Sequence, residues 1–360
     1  MIFNKTLDNL KTYTPGKPIE LVVREYGLNT KDIIKLASNE NPRGCSPRVI
    51  EVLKESMKKI NLYPDDSMYE LKDSLANKFK VEKENIIIGA GSDQIISLAL
   101  QAKANTHSSV LMAGVTFAMY EIYSKQVGAK ILKTKSSSHN LDQFLDMCHK
   151  NSDVSVLFLC LPNNPLGECL DIEDVYSFLK KIDSNILVVI DGAYQEYAKV
   201  KDKNKKITPK NLIEKFPNVL YLGTFSKVYG LAGMRCGYGV ANKKIIKALN
   251  KIRSPFNVTT LSLKACVEAL KDEEFVSKSV EENFLEMSRY EDFISQNGFD
   301  SITSYANFII IKYDKNKKSK VIAHNLLKKG IIVRDLGAYN MNAIRVTIGT
   351  PKQNSKFFNR

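Results

Sequence analysis

The sequence is poor in the residues that hold metals. It has four histidines in 360 residues, with no H-E-x-x-H and no pairing with cysteine. No metal site is therefore expected, and His107, His139, His149 and His324 read as surface or capping residues. The six cysteines, Cys45, Cys148, Cys160, Cys169, Cys236 and Cys266, are scattered, with no C-x-x-C among them. That pattern fits reduced thiols in a cytoplasmic protein better than a disulfide framework. No run of 18 apolar residues occurs, so no membrane span is expected. The opening Met1-Ile2-Phe3-Asn4-Lys5 has no apolar stretch of the kind that marks a secretory signal. The phosphate-loop pattern G-x-x-x-x-G-K-[ST] and the nucleophile elbow G-x-S-x-G are also missing.

What is present is ordinary globular material. Apolar residues make up 44 % and charged residues 26 %, and the length suits two domains or one large α/β unit with an appendage. The net charge is +14. A surplus of that size raises the question of nucleic acid or an anionic membrane. However, the densest basic stretches, 199–210 and 312–320, are polar and read as solvated loops. No aromatic residues interleave with them as a single-strand platform requires. A field that draws in small anions is the better use of the charge.

No internal repeat is visible. The first 30 residues, with Pro15, Gly16 and Pro18, read as an arm. Residues 31–242 alternate short apolar strands (86–88, 110–112, 155–160, 186–190 and 219–222) with helical patterns such as 92–103 and 172–181. That alternation predicts an α/β fold with a mostly parallel sheet covered on both faces. Residues 243–360 change texture. A helix-rich stretch runs to about 296, then strands near 307–312, 331–333 and 344–348 flank a helix near 320–329. This reads as a smaller α+β domain.

Ligands of open α/β sheets bind beyond the carboxyl ends of the strands, so the residues after each strand are the candidates. The first strand is followed by Gly89-Ala90-Gly91-Ser92-Asp93-Gln94, where backbone N–H groups could meet a phosphate at a helix start. On its own it is equally a tight turn, and Gln94 breaks G-x-G-x-x-G. The third is followed by Pro162-Asn163-Asn164-Pro165, which alone is as well explained by an Asx-turn. The fourth ends at Asp191, three residues before Tyr194. A carboxylate there is costly unless paired. The fifth is followed by Thr224-Phe225-Ser226-Lys227, with Arg235 eight residues further on. A desolvated lysine has a lowered pKa and a nucleophilic amine, which suits Schiff-base chemistry. Pyridoxal phosphate needs such a lysine for its aldehyde and an acid for its ring nitrogen.

These stretches, together with Ser38-Asn39-Glu40-Asn41-Pro42, Tyr63-Pro64-Asp65 and Arg345-Val346-Thr347-Ile348-Gly349, resemble the fold-type I, class II aminotransferases, over residues 13–350. Within that family they are most similar to the branch that works on histidinol phosphate. The resemblance implies a seven-stranded, mostly parallel sheet, pyridoxal 5'-phosphate as cofactor and a homodimer with a shared active site. It also implies roles. Lys227 would take the aldehyde and shuttle the α-proton. Asp191 would pair with the ring nitrogen, and Tyr194 and Asn164 with the phenolic oxygen. Phe117 would stack on the ring, where relatives usually have tyrosine. Thr224, Ser226, Arg235 and the backbone of Ala90, Gly91 and Ser92 would hold the phosphate, with Tyr63 arriving from the partner subunit. Arg345, assisted by Arg334, would clamp the carboxylate of glutamate and the phosphate of the other substrate in alternate half-reactions. Tyr13 and Asn39 would close the site.

The implied reaction moves an amino group between glutamate and a small phosphorylated ketone, with imidazole acetol phosphate as the first candidate. Two alternatives keep the cofactor: transamination of another ketone such as dihydroxyacetone phosphate, and decarboxylation of a phosphorylated amino acid. An inactive nucleic-acid-binding module is disfavoured by the intact Lys227, Asp191, Tyr194 and Arg235. Four departures from the family pattern stand out. Leu166 replaces a threonine, Gly192 replaces Glu or Ala, and Arg43 and Cys45 lie in the loop near the substrate mouth. A terminal helix is expected to be short or absent.

Overall fold

Apolar residues that alternate along short strands build the centre of the molecule. The architecture comes from a computed structural model that describes residues 1, 3–8, 10 and 18–360. Strands are numbered in chain order. The first, β1 (Ile34–Lys35), joins the C-terminal unit. The large sheet contains β2 (Ile86–Gly89), β3 (Ser109–Met112), β4 (Lys130–Lys133), β5 (Val154–Cys160), β6 (Leu187–Asp191), β7 (Val219–Thr224) and β8 (Gly237–Ala241). Their spatial order is β2-β8-β7-β6-β5-β3-β4. Only β8 runs antiparallel to its neighbours, and every other pair is parallel.

Side chains along a strand point alternately to opposite faces. Thus Leu157 and Leu159 of β5 join one apolar cluster, while Val156, Phe158 and Cys160 join the cluster on the other face. β2 divides likewise, with Ile86 and Ile88 on one side and Ile87 on the other. Both faces are thus covered by helices, as the continuous apolar strands require. Two strands are invisible to an apolar-run reading. β8 reads Gly-Tyr-Gly-Val-Ala, its glycines leaving room for neighbours: a Cβ at Gly237 would lie 2.2 Å from the backbone nitrogen of Ser92. β4 is an edge strand with lysine at both ends, a common protection of exposed edges.

The chain then forms the helices Lys243–Asn250, Thr260–Lys271 and the 24-residue Glu273–Gln296. A second, antiparallel sheet follows, with the order β11 (Arg334–Asp335), β12 (Ala343–Thr347), β9 (Phe308–Lys312). β10 (Ile331–Ile332) pairs in parallel with β1. Residues 34–35, assigned by sequence to the large unit, therefore hydrogen-bond into the C-terminal one. Sequence alone could not foresee this, because the pairing spans some 300 residues. The terminal helix is present but short, Pro351–Phe358, and is closed by a capping box between Thr350 and Gln353.

Two smaller expectations need correction. The stretch 199–210 is not simply a solvated loop. It contains the helix end Gln195–Lys201, and Lys205 is buried in an ion pair with Asp171 at 2.8 Å. His139 is not on the surface. It is buried, its Nε2 accepts the Cys160 N–H at 3.1 Å, and its Nδ1 lies 3.2 Å from Glu168. Among the described residues no helix is long and apolar enough to cross a membrane, and no group of His, Cys, Asp and Glu is placed to hold a metal ion.

Candidate active site

The parallel strands deliver their carboxyl ends to one side of the large sheet. The connections from β3 and β5 lead in opposite directions along the sheet, which opens a crevice between these strands. A cavity of about 410 Å³ lies there. Its lining draws on the end of nearly every central strand. Gly91 and Ser92 follow β2, Phe117 follows β3, Asn164 follows β5, Asp191 ends β6, and Thr224, Ser226 and Lys227 come with β7. Arg235 completes the set.

Two of these positions show how tightly the cavity is built. The helix Gly91–Lys103 begins beside it, and no side chain caps its first turn. Its leading N–H groups, which a helix cannot satisfy internally, form a natural anion seat. Gly91 has φ +77°, and a Cβ there would come within 2.8 Å of the Arg235 guanidinium. Glycine is therefore needed both for the backbone angle and for the approach of the arginine. The N–H of Ala90 is turned to Gln94 Oε1 at 2.8 Å, so the seat is left to Gly91 and Ser92.

Asp191 is buried, and its pairing is more local than the sequence reading foresaw. The Tyr120 hydroxyl donates to Oδ2 at 2.7 Å, and the Ala193 N–H donates to Oδ1 at 3.1 Å. Burial raises its pKa, and these two bonds and Lys227 oppose the rise. Tyr120 is the one strong partner that sequence reasoning missed. It lies three residues after Phe117, one turn into the helix Ala118–Gln126. That spacing was the available signal.

Lys227 lines this cavity and a second one of about 320 Å³, which also holds Asn39, Arg334 and Arg345. Its Nζ donates to the Ser38 carbonyl at 3.3 Å and sits 5.6 Å from the centre of the Tyr194 ring. Burial first, then the nearby Arg345, lower its pKa to about 8. Tyr194 is buried, and its hydroxyl accepts from Asn39 Nδ2 at 2.9 Å. Asn39 adopts φ +55° and is tied to Thr347 through its own N–H at 2.9 Å. Arg345 on β12 faces Arg334 on β11 across the antiparallel register. Its guanidinium donates to Asn164 Oδ1 and, at 2.6 Å, to the Ala37 carbonyl.

Most sequence candidates thus gather around one amine, with three exceptions. Ala90, whose N–H is taken by Gln94, lines neither cavity. Tyr63 is 82 % exposed, stacks on Phe256 at 4.6 Å, and lines neither cavity. Tyr13 lies outside the described residues. Three of the four departures from the family pattern have physical accounts, and Cys45 has none. A Cβ at Gly192 would meet the Tyr221 ring at 2.5 Å, and Leu166 is buried against Val115, Ile310 and Leu336. Arg43 pairs with Glu282. A larger, more open groove of about 680 Å³ lies around Lys72, Lys83 and Lys247 and contains none of these groups.

Residues 31–360 match the family model for class I and II aminotransferases. The chain belongs to that family. A histidinol-phosphate aminotransferase of Aliarcobacter butzleri is 60 % identical over 99 % of this chain and 97 % of its own length. Among solved structures, the histidinol-phosphate aminotransferase of Sinorhizobium meliloti, determined with pyridoxal-5'-phosphate, superposes with a TM-score of 0.89. It is 23 % identical and covers 99 % of this chain and 95 % of that one. The L-threonine-O-3-phosphate decarboxylase of Porphyromonas gingivalis superposes at 0.79, with 22 % identity and coverage of 91 % and 98 %. The fold of this aminotransferase family is therefore shared with a decarboxylase, and architecture alone does not select the reaction.

Proposed function

We propose that this aminotransferase uses pyridoxal 5'-phosphate to move an amino group between glutamate and imidazole acetol phosphate, forming histidinol phosphate. One observation carries the reading: the Lys227 amine opens on both cavities, one floored by Asp191, the other walled by Arg334 and Arg345. The name of the 60 % identical relative supports the choice of substrate.

The residues fit the cofactor. The Gly91 cradle, which any side chain would fill, the uncapped helix start and Arg235 suit its phosphate. Thr224 and Ser226 line the same end. Asp191 has a neutral hydroxyl and one amide as hydrogen-bond donors, so a cationic ring N–H facing it would relieve its burial. Asn164 and Tyr194 line the cavity between these ends and suit the phenolic oxygen. Phe117 offers a face for stacking. When bound, the cofactor supplies an aldehyde and a ring that accepts the electrons of a broken Cα bond.

The chain's own residues supply the rest. A lysine with a pKa of about 8 holds far more neutral amine near physiological pH than an ordinary lysine does, so Lys227 Nζ can act as nucleophile and then take and return the substrate's α-proton. Asp191 holds the ring nitrogen's proton in place. Arg345 and Arg334 present planar forks to a carboxylate or a phosphate. Asn39 fixes the Tyr194 hydroxyl. Tyr63, exposed and stacked on Phe256, is assigned to the cofactor phosphate of a second copy, which makes the working unit a homodimer. The six cysteines are free, in keeping with a cytoplasmic enzyme.

The test is a pair of half-reactions. Glutamate alone should convert the bound cofactor to its amine form without releasing carbon dioxide. The amine form should then react faster with imidazole acetol phosphate than with dihydroxyacetone phosphate. Carbon dioxide released from a phosphorylated amino acid, or the reverse preference between ketones, would overturn the assignment.

A further inference from the structure

Among the described residues, Lys35 is the one cation of the second cavity to which the sequence assigned no role. It is the last residue of β1 and lies in register with Ile332 of β10, two residues before Arg334. Its neighbours Ile34 and Leu36 turn into the apolar core of the C-terminal unit. Alternation therefore sends Lys35 to the opposite face, together with Ala37, whose carbonyl receives Arg345. Lys35, Arg334 and Arg345 line the same 320 Å³ cavity, and none of the described residues that line it is acidic. The Lys35 side chain is 26 % exposed and pairs with Glu40 Oε1 at 2.8 Å. Glu40 itself lines the other cavity, beside Lys227.

We propose that Lys35 is a third cation of the substrate-anion subsite, and that it exchanges Glu40 for the substrate's phosphate on binding. This rests on the proposed reading of the second cavity as the substrate's. A half-exposed Lys–Glu pair is weak and readily exchanged. A doubly charged phosphate offers Lys35 more than a carboxylate can, since it adds oxygens and charge while both arginines remain engaged. A single carboxylate is already matched by the Arg345 fork. Lys35 therefore favours the phosphorylated partner over glutamate and sets specificity between the half-reactions. The exchange also leaves Glu40 free next to Lys227. Its charge then favours the protonated amine at the stage when Lys227 must hold a proton, a direction that its effect on the Lys227 pKa supports.

The experiment is calorimetric titration of the cofactor-loaded enzyme with inorganic phosphate and with acetate, at a pH where phosphate is mostly dianionic. Four proteins are compared: unaltered, Lys35→Met, Lys35→Arg and Arg345→Ala. Lys35→Met should weaken phosphate binding about tenfold, as expected for one lost charge-assisted contact, and acetate by less than about threefold. Lys35→Arg should restore most of the loss. In turnover, Lys35→Met should raise KM for histidinol phosphate more than KM for glutamate. If Lys35→Met leaves phosphate affinity within about twofold while Arg345→Ala lowers it, Lys35 is only half of a surface ion pair and the proposal is wrong. If Arg345→Ala also leaves phosphate binding intact, the reading of the cavity itself is overturned.

Discussion

The two cavities that meet at Lys227 are assembled in opposite ways. The larger one is built mainly at the carboxyl ends of strands in one sheet, with Ser38 and Glu40 added from the segment after β1, so most of its groups are fixed by the sheet's register. The smaller one joins residues 34–39 to β11 and β12, about 300 positions later, and is held by a few side-chain bonds such as Arg345 to Ala37 and Asn39 to Thr347. The first is a rigid seat suited to a resident group, and the second an adjustable site suited to two alternating substrates. Among the described residues no acid lines the second cavity, whereas the first pairs its buried acid with neutral donors.

Substitutions can test that contrast, beginning with the largest effect. Asp191→Asn should lower the rate of both half-reactions about a thousandfold while the cofactor still binds, because a preorganised charge is lost. Stopped-flow rates of each half-reaction check it, and an effect on only one would show that the first cavity does not serve both. Arg345→Gln should weaken both glutamate and the phosphorylated substrate about a hundredfold, as expected for a lost bidentate charge-assisted pair. It has a second signature. Arg345 depresses the Lys227 pKa, so its removal should raise that pKa. The rate at which the cofactor-free chain takes up the aldehyde should rise with pH through about 8 in the unaltered protein. In Arg345→Gln the rise should move to higher pH, since only the neutral amine attacks. A profile unchanged by the substitution would uncouple the two cavities.

Gly91→Ala should weaken cofactor binding about tenfold or more, because a side chain must fit a positive φ and displace Arg235. Equilibrium dialysis of the cofactor measures it, and unaltered affinity would remove Gly91 from the phosphate seat. Tyr120→Phe is read on stability rather than on rate or binding. Losing the 2.7 Å bond to Asp191 should cost about 1–3 kcal/mol in stability, since the carboxylate stays buried with one partner fewer. A denaturant titration reads it directly.

The same contrast explains what the sequence disclosed. Most residues of the first cavity follow a strand of the large sheet, so a scan of strand ends finds Gly91, Asn164, Asp191 and Lys227 without long-range information. Nothing local marks Arg345, Arg334, Asn39 or Lys35 as neighbours, and the first three were reached only through the family resemblance. Tyr120 went unnoticed because a helical tyrosine near apolar residues looks like core, which in part it is, stacking on Phe158 at 4.2 Å. Strand β8 was hidden by its glycines, and β4 by its flanking lysines.

In the proposed function one amine, Lys227, joins a cofactor seat to a substrate site. That role is tested most directly by reducing the cofactor-loaded protein with borohydride and mapping the peptide that carries the label. A single labelled residue, Lys227, is expected, with no label in Lys227→Ala. Attachment to a different lysine, or the same yield of label in the variant, would contradict it.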